Sequence, residues 1–184
     1  MAFFKNYYNI ISTLVFLSAI VIAQISSTHN YDWTRNTISD LGSQGYDKKA
    51  IMQLGFLTFG LLLVTGILYN GLTWQTTPIL IYGVCIALTG VFCTKPFWGQ
   101  NSYSVHQANI HSFLAQIAGI SFTIGILVQL FYAETFTEKW LHFSFFFLVV
   151  TLSALFGIIK DYQGILQRLL YLTSFLWLVK FYKT

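Results

Sequence analysis

The sequence predicts an all-α fold, a polytopic integral membrane bundle of six transmembrane helices, and three observations carry that prediction. Hydrophobic residues fill 55% of the 184 positions and charged residues only 9%, against roughly a quarter charged in an ordinary soluble domain. The apolar residues gather into runs near the ~20 residues that a helix needs to cross a ~30 Å hydrocarbon layer. Aromatic residues make up 18% of the chain, with 18 Phe and 11 Tyr, and many stand at the ends of those runs, where amphipathic rings favour the membrane interface. The net charge of +4 comes from ten scattered Lys and Arg. A nucleic-acid protein clusters such charge on one element, so no nucleic-acid partner is expected.

In chain order the spans fall at about 8–25, 51–72, 78–94, 108–132, 141–159 and 163–181, within a single domain over residues 1–184. The first run follows Lys5 and is longer than the apolar core of a secretory signal. It also lacks a small-x-small cleavage pattern at Ala23-Gln24-Ile25, so it reads as a membrane span. The second, fourth and fifth runs have the length of full crossings, whereas the third is short. The sixth holds Arg168 in its first turns and Lys180 near its end, positions from which long side chains snorkel to the headgroups. Cys85 and Cys93 lie eight residues apart on the third predicted helix, about 12 Å along its axis, beyond disulfide reach.

Small and polar residues recur at helical spacing on two neighbouring spans. Gly83, Ala87, Gly90 and Thr94 form one stripe, and Ser112, Gln116, Gly119 and Thr123 form the other. Close backbone approach drives helix association in lipid, so the third and fourth spans are expected to pack as an antiparallel pair along these stripes.

Six spans put both ends of the chain on one side, called side A, with bland loops at 70–77 and 133–139. The opposite side, side B, carries segments 26–49, 95–105 and 160–164, which hold most of the polar residues in need of explanation. Any site is expected there. In the first segment Asn36, Thr37, Ser39 and Asp40 can cap a short helix, and Gly42 can take a turn's positive φ. The capping reading is preferred, and the alternative makes Asp40 a proton acceptor, a metal ligand or a partner for Arg168.

His106 and His111 come from the second segment. On a regular helix an i, i+5 pair diverges by about 140°, which suits a shared metal poorly unless His106 precedes the helix. Gln107 and His111, at i, i+4, make the more natural polar face. Lys160-Asp161 reads as an ion pair at a helix end. Arg168 needs a carboxylate, a carbonyl or a lipid phosphate, with Asp40 or Asp161 as internal partners. His29 and His142, near span ends, are expected to be exposed or interfacial, and Glu134 and Glu138 to lie in solvent. No phosphate-binding glycine loop, nucleophile elbow or metalloprotease helix motif occurs.

Taken in order, Asn36-Thr37-Ile38-Ser39-Asp40-Leu41-Gly42, then Gly90-Val91-Phe92 leading to His106 and His111, then Gly164-Ile165-Leu166-Gln167-Arg168 followed by Trp177, resemble the bacterial and archaeal membrane family called domain of unknown function 998. The resemblance spans nearly the whole chain. It implies six spans, a bacterial origin and no established activity, and hence a multi-pass protein of the bacterial inner membrane. Members commonly carry Phe-Pro and an acidic residue after the third span. This chain has Phe92-Cys93-Thr94-Lys95-Pro96 instead, which leaves that acidic ligand without a counterpart. Membrane hydrolases of the ceramidase and progestin-receptor type have seven spans and an HxxxH pair, and this chain has neither.

Three functional expectations follow. The first is a membrane protein of uncharacterised, non-enzymatic activity whose side-B cluster stabilises the bundle and, through Arg35, Asn36, Ser39, Gln107, Asp161 and Arg168, is open to an anionic lipid head group or a membrane protein partner. The second is an intramembrane hydrolase using Asp40, His106 and His111 around zinc or as acid and base. The third is a small transporter-like subunit, for which neither broken helices nor an inverted repeat can be found.

Overall fold

A computed structural model describes residues 2–99 and 102–182, with side chains from Tyr7 onward. It contains six α-helices: α1 Ala2–Ile25, α2 Lys49–Asn70, α3 Thr77–Val91, α4 Val105–Tyr132, α5 Phe136–Ile158 and α6 Gln163–Lys180. Two 3-10 turns, Ser39–Gly42 and Lys160–Tyr162, lie between helices, and no strand occurs among the described residues. α1, α2, α4 and α5 are long and apolar enough to cross a bilayer, and α3 is a shorter apolar helix. At 1.5 Å per residue α3 is only about 22 Å long. α6 has 18 residues, including Arg168 and Lys180.

Local sequence explains where several helices start. The backbone amides of Thr73 and Thr76 each donate to the other's hydroxyl ahead of α3, whose first turn holds Pro78, a residue suited to that position because its missing N–H would be unpaired anyway. The Ser104 hydroxyl accepts from the Gln107 amide at the start of α4. Thr135 and Glu138 form a reciprocal capping box on α5, so Glu138 has a structural role beyond the solvation expected of it.

Each helix packs against the next in sequence, and α6 returns to α1, closing a ring. Phe16 of α1 lies at the centre, its ring 4.9 Å from Phe59 on α2 and 5.7 Å from Phe175 on α6. α5 is the least buried of the four long helices and presents Phe143, Phe147 and Val150 outward.

Contact between α3 and α4 is present, but the predicted stripes do not make it. The α3 stripe faces α2: Gly60 abuts the Gly83 carbonyl and Ala87, and Gly90 abuts the backbone at Gln53 and Leu57. On α4 the opposite face is used. Gly125 meets Ile79 of α3, and the Phe122 ring lies 5.0 Å from Tyr82, while Ser112, Gln116 and Gly119 point away from the bundle. Shape decides this, because two glycine-bearing surfaces on α2 and α3 allow a closer approach than α4 offers.

Smaller expectations are also revised. Among the described residues positive φ occurs at Gly45 and Gly71, not at Gly42. α3 ends at Val91, so Cys93 lies beyond it, and both cysteines are buried and free. His29 is exposed as expected, but His142 is buried and its Nδ1 accepts a 3.0 Å bond from the Trp177 indole N–H. An indole N–H inside a bundle needs an acceptor, and α5 supplies one.

Candidate functional site

Side B gathers its three segments as expected. Gln44, in the first, takes the Thr94 carbonyl through its backbone amide and brackets Ser104 with its side chain. The same segment then caps α6: the amides of Gly164 and Ile165 donate to the carbonyls of Arg35 and Thr34, each at 3.1 Å. Helix N-termini leave such amides unpaired, and no side chain caps α6. Gly164 permits this docking, since a Cβ there would collide with the carbonyl oxygens of Trp33 and Asn36.

Arg168 extends the arrangement one turn further. Its Nη1 donates to the carbonyls of Trp33 at 2.9 Å, Asn36 at 3.2 Å and Gly164 at 2.9 Å, and its Nη2 to Gln24 Oε1 at 2.9 Å and the Tyr31 hydroxyl at 2.7 Å. The guanidinium lies 5.9 Å from the ring centres of both Tyr31 and Trp33, within cation–π range. Neither Asp40 nor Asp161 pairs with it, contrary to expectation. The loop carbonyls of Trp33 and Asn36 do that work together with Gly164, Gln24 and Tyr31, which satisfies both Nη groups and leaves the positive charge without a carboxylate. Its Nε is buried and makes no hydrogen bond.

Tyr31 joins the cage to the loop, accepting from Arg168 while donating to the Thr37 carbonyl at 2.9 Å. Burial raises its pKa to about 12 against the lowering effect of Arg168, so it remains a protonated donor. Gln167 ties the same loop to α6 by accepting from the Ile38 amide and donating to Ser39 Oγ.

Asp40 points into its own turn. Its carboxylate accepts from the Thr37 amide at 2.7 Å while Thr37 Oγ1 accepts from the Asp40 amide at 3.1 Å. Burial raises its pKa, opposed by the Thr37 bonds and by Lys95. His111 is buried elsewhere, its Nδ1 2.8 Å from the Phe92 carbonyl and 3.2 Å from that of Thr89, where it caps the C-terminal end of α3. His106 and Gln107 are exposed at the start of α4, so the expected Gln107–His111 face is not formed. No three His, Cys, Asp or Glu among the described residues lie close enough to hold a metal. The structure therefore does not assemble Asp40, His106 and His111 into a zinc centre.

Lys160 and Asp161 are exposed and form no salt bridge; among the described residues the sole such contact is the exposed Arg35–Asp32 pair at 3.9 Å. Asn36 accepts from the Asp32 amide through its side chain and presents its carbonyl to Arg168. Beside the cage a cleft of about 300 Å³ opens between α1 and α6. Leu17, Ile20, Leu172 and Phe175 form its apolar walls, and Gln24, Trp33 and Arg168 its polar end.

A family described as a protein of unknown function (DUF998) matches residues 10–181, nearly all of the described chain and every element of the cage. The chain belongs to this family. No curated protein and no solved structure matches. Sequence reasoning about this DUF998 member placed Arg168, Asn36 and Ser39 together but missed Gln24, Tyr31, Trp33 and Gln167. Tyr31 and Trp33 carried a usable signal, since two aromatics flanking a polar loop suit a cationic partner. Gln24 and Gln167 carried none beyond polarity at a span end.

Proposed function

We propose that this protein is a multi-pass protein of the bacterial inner membrane that holds an anionic amphiphile in the cleft between α1 and α6. One observation carries the reading: an apolar cleft ends at a guanidinium whose charge no carboxylate neutralises. The walls accept a hydrocarbon chain, and the polar end accepts a head group. The exposed indole of Trp33 and the positive charge of Arg168 at the end of the cleft are what a head group meets there, while Gln24 and the loop carbonyls hold the guanidinium in place. Pockets of this kind, apolar with a few convergent polar groups, are the usual form of small-molecule sites.

The reading is tested by native mass spectrometry of protein from mixed phosphatidylglycerol and phosphatidylcholine micelles. Wild type is expected to retain about one phosphatidylglycerol. Leu172→Trp, which fills the cleft without touching the cage, is expected to lose it while melting like wild type. Retention of both lipids alike, or retention unchanged in Leu172→Trp, overturns the proposal.

A further inference from the structure

The outward face of α4 carries three unsatisfied polar side chains. Asn109, Ser112 and Gln116 are exposed and make no hydrogen bond among the described residues, and with Gly119 and Thr123 they fall within an arc of about 80° at 100° per residue. Thr123 is satisfied internally by the Gly119 carbonyl at 2.8 Å. The other three are not. Gln116 lies close to the middle of the 28-residue helix, where the bilayer supplies no water and an unpaired amide is costly.

We infer that this face binds the same face of a second copy of the chain, with Gln116 on the two-fold axis. Two copies inserted in one orientation are related by an axis along the bilayer normal, which brings each residue of an isologous interface near its own counterpart. A carboxamide has a donor and an acceptor, so paired Gln116 side chains satisfy each other, and the Asn109 pair can do the same; the face is complementary to itself. α4 contains no Lys, Arg, Asp or Glu, so the copies do not repel. A Cβ at Gly119 would meet nothing within 4 Å, leaving room for a partner backbone, and membrane helices associate through such combinations of small and amide-bearing residues.

The test is oxidative cross-linking in native membranes, with Cys85 and Cys93 replaced by Ala. Gly119→Cys is expected to give a species of twice the chain mass, whereas Phe147→Cys on the exposed face of α5 stays single. Gently solubilised wild type is expected to run as a dimer and Gln116→Leu as a monomer, with equal helix content by circular dichroism. Because Gln116 is exposed and hydrogen-bonds to no described residue, the substitution is expected to leave the fold intact. Single chains at both cysteine positions mean that lipid covers the face, and a product of another mass means that a different protein does. Either result overturns the inference, as does equal cross-linking at Phe147→Cys or a dimer that survives Gln116→Leu.

Discussion

Replacing Gly164 with Ala is the sharpest probe of how side B is held. The added methyl would overlap the carbonyl oxygens of Trp33 and Asn36, with Thr34 backbone carbon also within contact. None of these atoms is a flexible side-chain end, so α6 and the loop must separate. Two amide-to-carbonyl bonds, Gly164 to Arg35 and Ile165 to Thr34, are stretched together, at about 0.5–1.5 kcal/mol each. Residual overpacking strain adds about 1–3 kcal/mol. A total near 4 kcal/mol corresponds to a drop of about 8–16 °C in melting temperature for a chain of this size. Thermal unfolding in detergent, followed by circular dichroism, reads it directly. Gly157→Ala is the control, because a Cβ there meets nothing within 4 Å, and it is expected to melt like wild type or slightly higher. A Gly164→Ala melting point equal to that of the control refutes the docking argument.

Other perturbations have defined outcomes. Asp40 has a folded-state pKa above its unfolded value, so the folded protein holds that proton more tightly; its contribution is fully present below the unfolded pKa of about 3.9 and is lost as pH rises through the raised value. Asp40→Asn, which keeps an acceptor for the Thr37 amide, should flatten the fall in stability across that window, and a denaturation series giving parallel slopes for the two proteins would contradict it. His111→Ala leaves the α3 carbonyls of Thr89 and Phe92 without their partner and should cost about 1–3 kcal/mol. His111→Asn should recover part of that loss, and equal melting of the two variants would argue against the capping role. Trp177→Phe removes the donor to His142 and should cost about 1 kcal/mol or more, measurable as a lower midpoint in a denaturant titration.

The bundle was legible because lipid imposes a simple rule: apolar runs of sufficient length become helices, and that rule depends on composition alone. The meeting of three distant segments at one face followed from counting crossings. Partner choice inside the bundle was less readable. Ser112, Gln116 and Gly119 share the spacing of a packing stripe, yet spacing does not say which neighbour a face meets, and the glycines of α2 and α3 settled that contest by shape. Arg168 was recognised as costly, but its solution was a set of backbone carbonyls. Every residue has one of those, so no residue type in the sequence marks them. His142 was misplaced for a similar reason, since its burial depends on Trp177 arriving 35 positions later.

The cage around Arg168 joins residues more than 130 positions apart in sequence, Trp33 and Asn36 on one side and the guanidinium on the other. During synthesis the loop after α1 emerges with its carbonyls unclaimed and must wait through four further helices for α6. Contacts of such long range form late, because the intervening chain must first be ordered. Closure of the ring therefore waits until α6 has been made, and before then the loop carbonyls lack the partners that α6 gives them. A chain stalled before α6 would keep that loop undocked, so the loop after α1 depends on α6 for its fixed shape.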